Sequence, residues 1–475
     1  MASNQDPQTD RPSARPRRGW MALSIVVLII GAGMFTTRGV MRGLEGSWDF
    51  TMLYAGALRL VEGQDPYLFE ETYDAFREAG GTGRERDPVK FNLLYPPFTY
   101  ALLSPLGMLQ WSAAKTIWVG CNLLATAAVA VWLVRHRPRR GADAEDSASP
   151  EPWWPAVMAV GLWLACSALH TSVAFGQLSV VPLALMLPVL APWRGRGELG
   201  QWPWMSLKTA GLGLMLAVGG AIKPQLVVVL AMLLLATPRW RVALWSLGWA
   251  IGIAVVSMVW IQTGSPDWLQ HWRDQLTFFT QSGQALPTTE NPLTYQMINL
   301  EPWLHRLWLD GAGPIHVLGK VVLLAAAVCG AACVWKLSST APQKTRDSSS
   351  SKNRWETDDF LLLALSLGVA LTLLVDYHRT YDAVLLVLPA LWVWRRLAVC
   401  RKDLWAWVMV VCMATFMVPG PSMLVTFARK GMIPTGLTES WLWQAWLLPH
   451  HNVALLVLAV ALGVRLFRRT PLPRG

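Results

Sequence analysis

Charge is scarce in this chain. Asp, Glu, Lys and Arg make up 15% of its 475 residues, against about 25% in an ordinary soluble domain. The deficit is gathered into long charge-free stretches, which excludes a soluble globular protein. Cysteine is also sparse. The six present form no disulfide framework, since Cys121, Cys166, Cys329, Cys333 and Cys412 fall inside apolar stretches and Cys400 in a basic loop. Cys329 and Cys333 are one helical turn apart but have no histidine beside them, so packing is a better reading than a metal site. No internal repeat is visible, although an inverted repeat would mark a secondary transporter. No charged loop is long enough for a nucleotide-sugar-binding domain. No metal or cofactor is expected.

What is present is apolar and rich in tryptophan. A membrane span needs roughly 20 apolar residues to cross about 30 Å of hydrocarbon. Met21–Thr37, Thr116–Val134, Val242–Ile261, Val317–Trp335, Phe360–Val375, Trp405–Val418 and Val453–Phe467 approach that length. Trp153–Leu169, Ser179–Pro192, Thr209–Ile222, Leu226–Thr237 and Ala383–Trp394 are shorter and equally apolar. Together they predict an all-α polytopic membrane protein with about twelve spans. Many of the 28 tryptophans stand at span ends, among them Trp20, Trp153, Trp154, Trp202, Trp204, Trp394, Trp441, Trp443 and Trp446, as an interfacial aromatic belt requires. The net charge of +11 would suggest nucleic acid in a soluble protein. Here the basic residues cluster at helix ends, and no nucleic-acid partner is expected. The first apolar run is too long for a cleavable signal, and Phe35-Thr36-Thr37-Arg38 is a poor cleavage site, so it reads as a retained helix.

Orientation follows from the charges. Arg11–Arg18 holds four arginines, which assigns residues 1–19 to a cytoplasmic tail. Residues 38–92 are then outside, with ten carboxylates against seven basic residues. Treating Tyr95–Gln110 as a span would put the basic run Arg135–Arg140 outside. A short juxtamembrane or re-entrant helix is preferred, its prolines in the first turn where a missing N–H costs nothing. The basic segments Arg194/Arg196, Arg239/Arg241, Lys336–Arg354, Arg395–Lys402 and Arg465–Arg469 then all fall inside. Gly141–Pro152 and Ser338–Asn353 read as disordered linkers.

The polar residues of interest fall outside under this same topology. Asp49, in Gly46-Ser47-Trp48-Asp49-Phe50, is either a helix N-cap or a partly desolvated carboxylate suited to general-base work; its position leaves both open. Gly63-Gln64-Asp65-Pro66-Tyr67 has the composition of a turn, and Tyr95-Pro96-Pro97 that of a helix start. Lys223 breaks an uncharged run between Lys208 and Arg239; a lysine there either snorkels or holds a lipid-linked phosphate. The cluster Asp376–Asp382 contains Tyr377, His378 and Arg379, donors suited to phosphate. Gln177 and His271 are further candidates on outer segments.

The order of these motifs resembles glycosyltransferase family 87 of the GT-C superfamily, the polyprenyl-phosphate-dependent mannosyl- and arabinofuranosyltransferases. The matching residues are Asp49-Phe50, Gly63-Gln64-Asp65-Pro66-Tyr67, Tyr95-Pro96-Pro97, Gly176-Gln177, Lys223-Pro224 and Tyr377-His378. The last is more charged than the family's His-Tyr form. The resemblance covers roughly residues 20–400, including an outer loop over 38–111, and leaves 401–475 as additional helices and a short basic tail. It implies a GT-C-type bundle in the cell membrane with its active site on the periplasmic or extracellular side. It also implies a polyprenyl-phosphate-linked sugar donor, a lipid or glycan acceptor, and inverting transfer. Asp49 would be the general base. His378, Arg379 and Lys223 would stabilise the departing phosphate, with Gln177, Tyr95, Asp65, Tyr67, Tyr377 and His271 around the substrates. A transporter or flippase of lipid-linked sugar is the alternative.

Overall fold

The computed structural model describes residues 17–82, 85–138, 152–190, 207–235, 239–283, 291, 293–308, 321, 352–375 and 377–468. Among these the chain is helical, and its one extended pairing is an isolated bridge between Met297 and Arg379. The expected span Val317–Trp335, with Cys329 and Cys333, lies outside the described residues except for Val321; of the expected linkers only Pro152 and Lys352–Asn353 are described, the latter two as the first turn of a helix.

Among the described residues four helices are long and apolar enough to cross a bilayer, and two bent helix pairs qualify when each is taken as one span. The first of the four begins as α1 (Arg17–Met34), passes through a π-turn (Phe35–Val40) and continues as α2 (Met41–Glu45). The outer segment expected from Arg38 is therefore helical for a further two turns. Gly46 and Ser47 break the run, and Ser47 takes the left-handed conformation at φ 47° as N-cap of α3 (Trp48–Val61). After α4 (Phe69–Glu78) comes α5 (Pro97–Gly107). Its 11 residues rise only about 16 Å, too short to span. Pro96 is extended and Pro97 opens the helix, as proline at a first helical position favours.

The second full-length span is α6 (Trp111–Arg135), whose 25 residues rise about 37 Å. Two of its buried polar side chains turn back to the helix backbone: the Asn122 amide donates to the Trp118 carbonyl and Thr126 to that of Asn122, as an apolar surrounding favours. The expected span Trp153–Leu169 is split at Cys166 into α7 (Trp154–Ala165) and α8 (Ser167–Phe175), bent by 50°. Shorter apolar helices follow as α9 (Val180–Leu190), α10 (Leu207–Ile222) and α11 (Pro224–Leu235). The third full-length span, α12 (Trp240–Gly264), exposes Leu247, Ile251, Val255, Val256 and Val259, a face that lipid and not water would cover. Then come α13 (Trp268–Gln281), α14 (Leu300–Trp308), α15 (Lys352–Val375), a 3-10 segment (Thr380–Leu386) and α16 (Val387–Val399). The C-terminal part has α17 (Leu404–Ala414), α18 (Gly420–Arg429), α19 (Thr435–Thr438), a π-turn (Trp443–Leu447) and α20 (His450–Arg468), the fourth full-length span.

Two hydrophobic clusters hold these elements together. The larger joins α6, α8, α9, α11, α15, α16, α17 and α20, so the C-terminal helices share one core with the rest. The smaller is aromatic and lies under the outer loop: Phe50, Tyr54, Phe76, Phe91, Trp111 and Trp118 pack with ring centroids 5.1–6.4 Å apart, the spacing of favourable aromatic pairs. Ion pairs mark one end of the bundle. Arg395 bonds Asp359 and the His136 carbonyl, while Arg396 and Arg465 both meet Asp403, the N-cap of α17.

The outer loop depends on a backbone approach at Gly107, where an added Cβ would lie 2.6 Å from the Ala57 backbone. Gly107→Ala is expected to lower stability by about 1–3 kcal/mol through overpacking. The control is Gly33→Ala, whose Cβ meets nothing within 4 Å. The readout is the apparent melting temperature in detergent; equal values for the two variants would remove this contact from the account.

Candidate functional site

The candidate residues gather at the end of the bundle opposite the Arg395–Asp359 and Arg396–Asp403 ion pairs, around the start of α3, the turn between α8 and α9, and the segment before α16. Ser47, not Asp49, occupies the N-cap of α3, and Asp49 lies in its first turn. Its half-buried carboxylate accepts a hydrogen bond from the Gln177 side chain.

The turn carrying Gln177 is locally determined. Gly176 ends α8 in the left-handed conformation, φ 66°, which glycine adopts without penalty. A Cβ there would stand 2.8 Å from that of Phe50 and 3.0 Å from that of Ser47, so α3 approaches this turn as closely as atoms allow. Trp118 donates to the Gly176 carbonyl at 2.9 Å. Two residues beyond Gln177, Ser179 donates to Asp382 at 2.5 Å. One short turn therefore reaches Asp49 with one side chain and Asp382 with the next.

Asp382 is the hub of a buried network. Its Oδ1 takes the Lys223 ammonium and the Ser179 hydroxyl, and Lys223 also donates to Ser179 at 3.0 Å. Its Oδ2 meets Nδ1 of His378 at 2.8 Å. Asp382 is 2% exposed. Burial alone would raise its pKa, but Lys223 and His378 hold it well below the usual carboxylate value. Lys223 arrives through the break between α10 and α11, which Pro224 opens, and it sits 5.0 Å from the centre of the Tyr381 ring. His378 is fully buried, and its Nε2 has no hydrogen-bond partner. The backbone around it is fixed from outside, where Ile298 N–H donates to the His378 carbonyl at 3.0 Å.

Between the two carboxylates lie phenols and one guanidinium. Tyr95, Tyr377 and Tyr381 are each raised in pKa, by burial first and by the fields of both Asp49 and Asp382 among the further causes. They therefore remain hydrogen-bond donors at neutral pH. Arg379 donates from Nε to the Tyr377 hydroxyl at 2.8 Å. Among the described residues it forms no ion pair with a carboxylate.

A second group stands beside the first. The backbone N–H of Tyr67 donates to Asp65 at 2.8 Å, and the other carboxylate oxygen takes the Ser265 hydroxyl and meets Nδ1 of His271 at 2.7 Å. His271 is a third exposed. The Tyr67 hydroxyl donates to the Tyr95 carbonyl at 2.9 Å, and that bond joins the two groups. The turn expected at Gly63–Tyr67 is thus also an anchor for α13.

Asp49, Gln177, Tyr95, Lys223, Tyr377, His378 and Arg379 come together, while Asp65, Tyr67 and His271 form the adjoining group. Ser179, Asp382, Tyr381 and Ser265 were not singled out from the sequence. Asp382 and Tyr381 had a signal, since both belong to the dense Asp376–Asp382 cluster; a serine two residues after Gln177 had none. Among the described residues no three His, Cys, Asp or Glu side chains converge to hold a metal ion.

The Lys223–Asp382 pair yields a stability prediction. Lys223→Met leaves a buried carboxylate without its cation and is expected to cost about 3–5 kcal/mol. Lys223→Met combined with Asp382→Leu should recover most of that. Since the folded pKa of Asp382 is depressed, its contribution is complete above its ordinary value of 3.8 and is lost as pH falls below it. Apparent melting temperatures of the variants across pH check both; a double variant no better than the single one would refute the pairing.

With the geometry in view, the chain was compared with known proteins. A family model described as Glycosyltransferase family 87 matches residues 93–351, more than half of the sequence. That stretch contains Tyr95, Gln177, Lys223 and His271, and leaves Asp49, Asp65 and the Tyr377–Arg379 cluster to either side. No curated protein and no solved structure matches the chain.

Proposed function

The chain belongs to glycosyltransferase family 87, and on that premise we propose that it transfers mannose or arabinofuranose from a polyprenyl-phosphate donor to a hydroxyl of a lipid or glycan acceptor. The carrying observation is a half-buried carboxylate, Asp49, that shares its phenolic neighbours with Arg379, a guanidinium that feels the field of Asp49 and forms no ion pair with a carboxylate among the described residues. A base and a cation held together in a membrane protein suit a neutral hydroxyl nucleophile and a phosphate leaving group.

In the proposed reaction Asp49 accepts the proton of the acceptor hydroxyl as that oxygen bonds to the anomeric carbon. The bond from that carbon to the phosphate oxygen breaks, its electron pair leaves with the polyprenyl phosphate, and the anomeric centre inverts. Gln177 holds the Asp49 carboxylate in position to take the proton. Arg379 and the phenols of Tyr95, Tyr377 and Tyr381 meet the charge that develops on the phosphate; preorganised donors of this kind act strongly where water is excluded.

Lys223, expected at the phosphate, is already neutralised by Asp382. It serves here as the counter-charge that keeps Asp382 ionised and His378 oriented. With Nδ1–H committed to Asp382, His378 donates from Nε2 to a phosphate only when its ring is protonated. His271, turned outward by Asp65, contacts the sugar or the acceptor. The active site lies on the periplasmic or extracellular side of the cell membrane in a GT-C-type bundle. Supporting that side, the basic ion-pair end, with Arg395, Arg396 and Arg465, lies opposite the site.

Purified protein, polyprenyl-phosphate mannose or arabinofuranose and a panel of lipid acceptors provide the test. Asp49→Asn is expected to lose about 100- to 10,000-fold in transfer rate, the usual worth of a general base, with unchanged elution in detergent. Transfer at the wild-type rate by that variant would remove Asp49 as the base. Arg379→Gln should lower the transfer rate without abolishing the protein's ability to take up the acceptor.

A further inference from the structure

A second buried cation at the same end of the bundle forms no ion pair among the described residues. Arg306 lies in the last turn of α14 and is 9% exposed. Among the described residues its side chain makes one hydrogen bond, from Nη1 to the Gln444 carbonyl at 3.5 Å, the long limit for such a bond. Its Nε is sealed from solvent and has no partner. Burial lowers its pKa to about 10, so it is charged at neutral pH. A guanidinium has five N–H donors in a fixed fork, and here one is weakly used. An unpaired buried charge is among the most costly arrangements a protein can hold.

The surroundings indicate what would compensate it. Trp303, one turn earlier on α14, donates to the Ala445 carbonyl at 2.8 Å. Its ring packs edge-on to Trp446, which packs edge-on to Trp441. Trp441, Leu442, Trp446 and Leu447 are exposed, and tryptophan with leucine at a helix-end turn is characteristic of the head-group level of a bilayer. The π-turn that carries Trp446 and Leu447 leads into α20, whose Asn452 donates to the Met297 and Asn299 carbonyls. Arg306 is therefore at interfacial depth on the site side, in a place where lipid phosphate is the abundant anion. About 9 Å of helix separates it from Leu300 at the start of α14, and it is not part of the group around Asp49.

We propose that Arg306 is a phosphate-binding site at the membrane interface, its unpartnered guanidinium held between α14 and the Trp443–Leu447 turn to take a phosphate oxyanion from a lipid head group or from solution. This goes beyond the transferase reading and does not depend on it, because the site would bind its anion whether or not Asp49 performs chemistry.

Full-length protein is placed in nanodiscs of phosphatidylcholine, with or without phosphatidylglycerol, and its apparent melting temperature is read in each. In detergent, inorganic phosphate is titrated against chloride at constant ionic strength. Phosphatidylglycerol is expected to raise the melting temperature. Arg306→Met should lose that rise completely and Arg306→Lys in part, since lysine keeps the charge but not the fork. Arg429→Gln, on the exposed surface of α18, should keep all of it. A rise with inorganic phosphate but not with phosphatidylglycerol, again lost in Arg306→Met, assigns the site to free phosphate. The same rise in Arg306→Met as in the wild type, or no response of the wild type to either anion, overturns the proposal. Should Arg306→Met not fold, an undiminished rise in Arg306→Lys overturns it equally.

Discussion

The buried pair between Lys223 and Asp382 is the constraint on which the rest of the site depends. Neither charge is tolerable alone at that depth, so the three elements that supply and satisfy them cannot drift apart. The break between α10 and α11 brings Lys223, the segment before α16 brings Asp382, and the turn after α8 brings Ser179 to bond both. Because Ser179 is two residues from Gln177, fixing it also fixes the amide that holds Asp49. A charge pair that touches no substrate in the proposed reaction thereby sets the position of the residue assigned as base.

A different kind of packing secures the same turn from the other side. Gly176 has no room for a side chain against Phe50 and Ser47, and Trp118 caps its carbonyl. Phe50 in turn stacks on Trp118 and Trp111. The aromatic cluster under the outer loop and the ion pair beneath the site thus meet at one turn. The outer loop is a platform, not a tether: α5 is too short to span, Thr99 bonds the Ala221 carbonyl two residues before Lys223, and Tyr67 bonds the carbonyl of Tyr95.

Much of this architecture was legible in the sequence because the bilayer imposes a simple code. Apolar runs and the placement of arginine identified the helical character, the short helix at Tyr95–Gln110 and the shared location of the polar motifs. Breaks inside apolar runs were not legible. Nothing in Trp153–Leu169 marks the bend at Cys166, which depends on how α8 seats against the segment before α16, and the helical continuation past Arg38 depends on packing against α8. The same limit applies within the site. Asp49 stood out by its setting, but an aspartate near a helix start is equally a cap. The cap position goes to Ser47, in the left-handed conformation, and Ser47 packs against Gly176, more than a hundred residues away. Ser179 and Ser265 carry no signal of their own, since their role comes from the carboxylates they face.

Pairing sorts the cations of this protein more sharply than charge does. Arg395 has Asp359, Arg396 and Arg465 share Asp403, and Lys223 has Asp382. Each of these meets a carboxylate, and that partner explains its burial. Arg379 and Arg306 differ: one is bonded to a phenol, the other weakly to a carbonyl, and neither forms an ion pair among the described residues. A membrane protein gains nothing in stability from carrying a guanidinium into a poorly hydrated place without an anion. The free energy of such an arrangement is recovered only when an anion arrives, which makes the unpaired guanidinium a mark of ligand binding and the paired one a mark of architecture. On that criterion Lys223, the cation most conspicuous in the sequence, belongs to the scaffold, and the proposed phosphate chemistry is placed on Arg379 and Arg306, which form no ion pair among the described residues.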